Sequence, residues 1–376
     1  MANDDFKPSQ QSLANIRNAV SMKTPKKVTT SAFENTQMLL FQDFLCNKEE
    51  ERDKLSNTIL LWDSVPKYST SKVAMNGKRQ SNNGRLGILK QEFKFGGKIF
   101  NVKISPARIE EIDKQTGQIC EIDYYPSANE ELVEDALRKL SVDQNQGFFD
   151  RGSARSGVVF SLYMLREELK KRGHTRSFSE IRLSLTILAK ANIEIIHEDH
   201  RGVGFGLSPI LPALAGVTRK QYEENSNAKW VAQFHPLVTQ SIEDLSYHQF
   251  NYDKMMRHTS QLSRWIHRLL SIKFNFAATG KTFDINYSTI KRDSRLLEEY
   301  KFDRQAVVAV EKALEELKKN KVLLIWEKKH VERGARGKIL DAIYTLHANP
   351  EFISEVKAAN KRLGDSKDVL INSTVK

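Results

Sequence analysis

The sequence predicts an α+β fold made of two tandem modules that share one supersecondary plan. Three observations predict it. Between Ser127 and Leu211 the apolar spacing gives helix, helix, tight turn, helix, strand and glycine-studded hairpin. Between Lys281 and Ala348 a strand, two helices and a second glycine-tipped hairpin follow in a matching order, with almost no residue identity to the first set. Ahead of both, the polar, lysine-bearing residues 1 to about 35 carry no periodic pattern. Helix, helix, turn, helix, hairpin is the order of a winged helix. The expected organisation is therefore a flexible N-terminal arm (1–58, with an apolar peptide at 36–46), a first winged-helix domain (59–250), a second (251–362) and a C-terminal tail (363–376).

The elements follow in chain order. "ILLWDSVPKYS" reads as a strand entering a loop, and Ser69–Arg85, rich in Ser, Asn, Gly and Lys, reads as a loop. "QEFKFGGKIFNVKIS" is a hairpin: Phe93 and Phe95 alternate before Gly96-Gly97, and Phe100, Val102 and Ile104 alternate after. "SANEELVEDALRKLSV" is a helix with Ser127 and Glu130 spaced as a capping box. "VFSLYMLREELKKRG" is a second helix with the stripe Leu162, Leu165, Leu169, stopped by Gly173. The third opens at Ser177 with Glu180 three residues on, and it buries Phe178, Ile181, Leu185 and Leu188. "NIEIIHED" and Leu207–Leu211 are the hairpin strands, and "KWVAQFHPLV" and "SYHQFNY" supply further strands. A long helix is expected over Tyr252–Lys273. Then come the strand "KTFDINYS", a helix capped by Ser288, a helix burying Val307, Val310, Leu314 and Leu317, the hairpin "KVLLIWEKKHVERGARGKILDAIYTLHA" and a last helix entered through Pro350.

Composition bounds the function. The chain has 376 residues, 40% hydrophobic and 28% charged, which is a globular balance. Fifty-nine Lys and Arg against 47 Asp and Glu give a net charge of +12, which suits a polyanionic partner such as nucleic acid. Two distant cysteines, Cys46 and Cys120, make a disulfide framework or structural zinc site unexpected. The opening residues lack a signal-peptide core and no run reaches membrane-spanning length, so a soluble cytoplasmic protein without membrane contact is expected.

The third helix of the first module carries the sharpest candidate site. Ser179, Arg182, Thr186 and Lys190 fall in one quadrant opposite the core stripe. These types donate to phosphates and base edges, and arginine can bridge two acceptors of guanine. Thr175 and Arg176 crowd the helix N-terminus, together with Arg172 and His174, where backbone N–H groups favour phosphate; Arg201 sits on the hairpin. In the second module the candidates are Arg304 and Gln305 on the third helix, Lys291 and Arg292 on the second, and Arg333, Arg336 and Lys338 at the hairpin tip. There Glu311, Glu315 and Glu316 share the third helix, and carboxylates facing phosphate would weaken binding.

Three fragments that look catalytic fail on spacing. "NFAATGKT" has Asn275 where a phosphate loop needs glycine, and its flanking elements are reversed. The histidines of "HEDH" are three apart on a strand, and "GVGFG" is too short for a dinucleotide loop. No enzyme and no cofactor are expected. "QMLLF" is different: Gln37, Leu40 and Phe41 resemble the peptide by which bacterial replication proteins bind the sliding clamp, and an amphipathic helix folded onto the body is the equal alternative.

The segment "DYYPSANEELVEDALRKL…GFFD…SGVVFSLYMLREELKKRGHTRSFSEIRLSLTILAKANIEI" resembles the first winged-helix region of RepA-type plasmid replication initiators, and "YDKMMRHTSQLSRWIHRLLS" resembles their connection into a second. The resemblance is close over about 123–275 and looser to about 345. It implies a bacterial, iteron-binding initiator that binds direct repeats at an origin without ATP, helps to open the DNA, recruits the host helicase and DnaA, and switches between monomer and homodimer. It carries DNA contact to the third helices, including Arg182 and Arg304. The rivals are a repressor of the same fold and, further off, a primase or nickase.

Overall fold

The structure, a computed structural model, describes residues 32–374 except 83, 113–116, 144–145, 200–201, 217–228 and 335–337. Two apolar cores organise it, one drawn from residues between Phe41 and Met256 and one from residues between Leu262 and Val356. They part where the long helix expected over Tyr252–Lys273 breaks.

The chain enters through helix α1 (Ala32–Gln42) and the short α2 (Glu49–Asp53). Strand β1 (Leu55–Ile59) then pairs antiparallel with β12 (Tyr247–Asn251), so the first core closes around both ends of its own segment. The expected loop at Ser69–Arg85 contains instead a helix, α3 (Lys72–Gln80), with Ser71 as its N-cap. Strands β2 (Leu89–Phe95) and β3 (Lys98–Ser105) form the expected hairpin. Gly96 and Gly97 take φ of 56° and 79°, a conformation that glycine adopts without a Cβ clash. A second hairpin follows, β4 (Ala107–Ile112) with β5 (Ile119–Tyr124).

The helices of the first module are α4 (Ala128–Ser141), α5 (Leu162–Lys171) and α6 (Phe178–Lys190). Both expected capping boxes form, Ser127 with Glu130 and Ser177 with Glu180. Gly173, at φ 88°, makes the reversal that sets α6 against α5. Strands β6 (Gly147–Asp150) and β7 (Arg155–Phe160) lie between α4 and α5, and β8 (Asn192–Asp199) and β9 (Gly202–Pro209) follow α6. The β8–β9 hairpin continues through β3 to β2 as one four-stranded sheet. β7, which feeds α5, belongs to another sheet with β6, β10 (Leu214–Ala215) and β11 (Trp230–Gln233). The second half of "KWVAQFHPLV" is not strand: Pro236 starts helix α7 (Pro236–Glu243), with His235 as N-cap.

At the junction α8 (Tyr252–Met256) ends and α9 (Gln261–Lys273) starts afresh behind Ser260, whose hydroxyl accepts from the Ser263 N–H at 3.0 Å. The strands of the second module form one sheet. The module runs β13 (Thr282–Asn286), α10 (Tyr287–Ser294), α11 (Asp303–Lys319), β14 (Leu323–Arg333), β15 (Ile339–Ala348), with sheet order β13-β15-β14. Asn286, not Ser288, precedes α10; Ser288 binds the Asp341 carboxylate through N (2.9 Å) and Oγ (2.7 Å). The last helix, α12 (Pro350–Thr374), is continuous through residues 363–374 of the expected tail.

Charged side chains buried between the modules join them. Arg268 of α9 donates to Asp63 (3.1 Å) and Asp135 (2.5 Å), which Arg138 of α4 also binds at 2.8 and 2.6 Å. Arg264 donates to Glu131 at 3.1 Å. Burial would raise the Asp63 pKa, but Arg138, Arg268 and Lys67 outweigh it and hold the carboxyl well below the usual range. Glu299 of the second module accepts from Ser71 N at 2.7 Å and Oγ at 2.5 Å, capping α3 of the first.

Candidate nucleic-acid interface

Helix α6 turns Ile181, Ser184, Leu185 and Leu188 into the core. Its back is covered by the β4–β5 hairpin, through Ala107 and Ile109 against Ile187 and Ala191. What remains outward is the expected quadrant. Ser179, Arg182 and Lys190 are exposed, and Thr186, half-buried, donates from Oγ1 to the Arg182 carbonyl at 2.9 Å. Among the described residues Arg182 has no hydrogen-bond or ion-pair partner, so its guanidinium points to solvent with all its donors available. The one acid at this end, Glu180, is used in the capping box: it accepts from Ser177 N (2.9 Å) and Oγ (2.8 Å), and those bonds hold its pKa below the ordinary value.

The residues around the N-terminus of α6 divide. Thr175 is exposed and Arg176 half-buried, its guanidinium held by Asn129 Oδ1 (2.9 and 3.2 Å) and by the Thr175 carbonyl (2.8 Å). Arg172 does not face outward: it is buried and donates to Glu168, Asp253 and Asp53. His174 is tied to the Met256 carbonyl at 2.7 Å. Lys190 reaches the Arg108 carbonyl at 3.3 Å but stays exposed. Arg201, like Arg336 in the second module, lies outside the described residues.

On α11 the expected inward set, Val307, Val310, Leu314 and Leu317, is buried. Its three glutamates are all engaged within the protein. Glu311 accepts from Lys328 at 2.6 Å and Glu315 from Trp326 Nε1 at 2.9 Å, both on β14. Glu316 accepts from Thr259 N (2.6 Å), Thr259 Oγ1 (2.8 Å) and Ser263 Oγ (2.5 Å), contacts that outweigh its burial and lower its pKa. The acid that argued against this helix as a DNA reader therefore fastens the hairpin on one side and α9 on the other. Arg304, Gln305, Val308 and Lys312 stay exposed.

The cations of α10 are less available than sequence suggests. Lys291 pairs with Asp303 at 2.8 Å and Arg292 with Asp293 at 2.7 Å, while Arg295 pairs with Glu298 at 3.0 Å. Together with Lys338 they line an open cleft of about 350 Å³ beside the start of α11. Arg333 and Lys338 are exposed at the ends of the hairpin strands.

The 36–46 peptide takes the second of its two readings. It is not a free arm: residues 36–42 belong to α1, docked on the first core. Gln37 is 2% and Phe41 1% exposed, and Leu40 is half-buried. Gln37 Nε2 donates to the Glu243 carbonyl at 2.8 Å, and the Phe41 ring meets Tyr247 edge-on at 5.1 Å. A helix leaves its last carbonyls unsatisfied; here Arg362 of α12 donates to the Leu40 carbonyl and to Asn57 Oδ1, each at 2.6 Å. The arm of 1–58 is thus folded structure at least from Thr36 on, held by α7, β12, β1 and α12 together.

Sequence reasoning passed over Val308. Helical phase alone places it beside Arg304, but an apolar residue in a polar face is easily read as core. The ion cluster of Asp63, Asp135, Arg138 and Arg268 had no sequence signal, because its members lie up to 205 residues apart.

Among the described residues no helix is long and apolar enough to cross a membrane, and no three His, Cys, Asp or Glu gather as a metal site. No protein-family model and no curated protein matches the chain. Solved structures overlap it partially. Two of domains 2 and 3 of RctB, at 11% and 10% identity and TM-score 0.43, cover 71% and 73% of this chain and 93% and 96% of theirs. One of the Pi initiator protein in complex with iteron DNA, at 14% identity and TM-score 0.34, covers 59% of this chain and 91% of that one. At such scores the overlap is too loose to assign a function, and what this chain binds has to be read from its own surface.

Proposed function

We propose that this chain is a sequence-specific double-stranded DNA-binding protein, a replication initiator of two winged-helix modules that binds repeats at an origin and distorts them without catalysing a reaction of its own. The observation that supports it best is the pair of third helices. Each leaves a face with an exposed arginine and hydrogen-bonding neighbours, while the acids on it are consumed in internal contacts. On α6 that face is Ser179, Arg182, Thr186 and Lys190, with Thr175 and Arg176 placed for phosphate at its N-terminus. On α11 it is Arg304 and Gln305, with Arg333 and Lys338 nearby for the backbone; Lys291 and Arg292 would join them only by exchanging Asp303 and Asp293 for phosphate. A third helix with an exposed N-terminal half is the element that enters a major groove in such folds, and the charge of +12 favours the phosphate backbone.

Recruitment of helicase, DnaA and sliding clamp, and formation of a homodimer, belong to the same proposal. Clamp binding through Gln37, Leu40 and Phe41 additionally requires α1 to leave the body. A repressor of the same fold would bind DNA equally well, so DNA binding alone does not separate the two readings.

The test has two stages. Selection from a random duplex pool by the full chain should yield one motif, and footprinting on the DNA flanking the gene should place it in an array of direct repeats. A single site over a promoter would favour the repressor. Binding that saturates equally on every sequence would contradict sequence-specific recognition.

A further inference from the structure

Val308 is 47% exposed in the second turn of α11, and nothing in the fold calls for an aliphatic residue there. The core of the module is filled from the opposite side of the helix by Val307, Val310 and Leu314. Single exposed aliphatics are common on protein surfaces and by themselves mean nothing. The surroundings of this one are specific. At 3.6 residues per turn Arg304, Val308, Lys312 and Gln305 lie within an arc of roughly 100°. Two cations and a primary amide therefore frame one isopropyl group. The carboxylates that would spoil this face for DNA, Glu311 and Glu315, are drawn aside to Lys328 and Trp326.

In a major groove only thymine offers an apolar group, its 5-methyl, and adenine offers the acceptor–donor pair that a carboxamide matches with two hydrogen bonds. Gln305 and Val308 stand three residues apart. Their side chains are therefore neighbours on the helix surface, with Cβ atoms roughly 5–6 Å apart, a spacing that suits the edges of one base pair or of two consecutive pairs. Both lie in the first two turns, the part of a recognition helix that approaches bases most closely. We infer that the start of α11 reads an adenine–thymine element, Gln305 on the adenine edge and Val308 on the thymine methyl, with Arg304 and Lys312 holding phosphate or neighbouring bases on either side. Val308 is then a specificity-determining residue of the second module. Arg182 gives the first module a different alphabet, because arginine suits guanine.

The inference rests on the DNA-binding reading, and the experiment separates the two. The probe is the duplex that the full chain selects from a random pool. Each thymine is replaced in turn by deoxyuridine, which removes the methyl and leaves every hydrogen-bonding group in place. One or two positions should lose about three- to fivefold in affinity, the effect of one methyl leaving an apolar contact at about 0.8 kcal/mol. Val308→Ala should bind the thymine and uracil duplexes alike at those positions, with unchanged affinity for scrambled duplex and an unchanged melting temperature. Val308→Thr, which keeps one methyl, should retain part of the discrimination. Gln305→Ala should relax the adenine preference next to those thymines. A selected duplex that tolerates uracil everywhere overturns the inference and leaves DNA binding standing. So does a Val308→Ala chain with the wild-type uracil profile. Failure to select any duplex overturns the DNA-binding reading, and this inference with it.

Discussion

The two modules present the same order of helices to solvent but reach a clean binding face by opposite routes. The outward quadrant of α6 is composed without acid, and its single glutamate, Glu180, lies at the N-terminus inside a capping box. The outward side of α11 is composed with three glutamates and is cleared afterwards, as Lys328, Trp326, Thr259 and Ser263 draw them away. The frames differ too. In the second module the strand before the first short helix, β13, pairs directly with β15 of the hairpin, whereas in the first the equivalent strand, β7, sits in a separate sheet. The charge that a helix face offers to a ligand depends on which of its ionised groups are already paired within the protein. Read as composition, α11 is the weaker candidate for DNA; read with partners, its outward face is as clear of unpaired acid as that of α6.

The largest expected effect lies at the joint that holds the two modules in one body. Arg268 is buried and serves Asp63 and Asp135 together. Removing one partner from a buried ionic cluster leaves the others uncompensated, at a loss of about 3–5 kcal/mol. Arg268→Ala should therefore lower the melting temperature sharply and uncouple the unfolding of the modules into two transitions. An unchanged single transition would mean that the apolar cores, not the ion cluster, couple them.

Acid should weaken both modules in one pH window. His235 in the first is pushed down to about 3 by burial and the Lys67 charge, and His258 in the second to about 4 by burial. Their folded pKa values lie below the unfolded value, so the unfolded chain takes the proton first. Stability should be full above about pH 6.5 and fall steadily toward pH 4, by on the order of 3 kcal/mol for a histidine shifted like His258. Asp63, held low by its arginines, keeps its share until stronger acid. A flat denaturation midpoint from pH 7 to 5 would contradict the burial of these rings.

The smallest effect is expected at Glu311. The Glu311–Lys328 pair is partly exposed, so Glu311→Gln should change stability by no more than about 1 kcal/mol. If Glu311 truly faces the hairpin, the substitution should leave DNA affinity unchanged or lower it slightly by loosening β14. Should it tighten binding several-fold, the carboxylate faces phosphate and α11 is not the cleared face described above.

Much of this was legible in the sequence, and the exceptions share a cause. The Ser177–Glu180 box, the Gly96-Gly97 turn and the buried stripe of α11 depend on residues within a few positions of each other, and local spacing reveals them. Helix α3 reads as loop because its residues are polar; it is a helix in part because Glu299, 228 residues away, binds its N-cap. α1 reads equally as a free peptide or a docked helix because its docking surface, Glu243 and Tyr247, is also remote, and so is the Arg362 that caps it. Of the candidate site, exposure of Arg182, Lys190, Arg304 and Gln305 followed from helical phase. The neutralisation of Lys291 and Arg292, and the clearing of α11, did not, since they depend on which side chain the fold brings alongside.

The α6 face is proposed to read DNA sequence and not merely to attract phosphate. Binding titrations of Arg182→Ala and Lys190→Ala, on the selected duplex and a scrambled one at several salt concentrations, test it directly. Arg182→Ala should lose about 1–3 kcal/mol on the selected duplex, relax preference at one position and leave scrambled binding nearly unchanged. Lys190→Ala should weaken both duplexes alike and reduce the salt slope by about one. Equal loss on selected and scrambled duplex for Arg182→Ala, or no loss on either, would contradict the claim and leave specificity to α11.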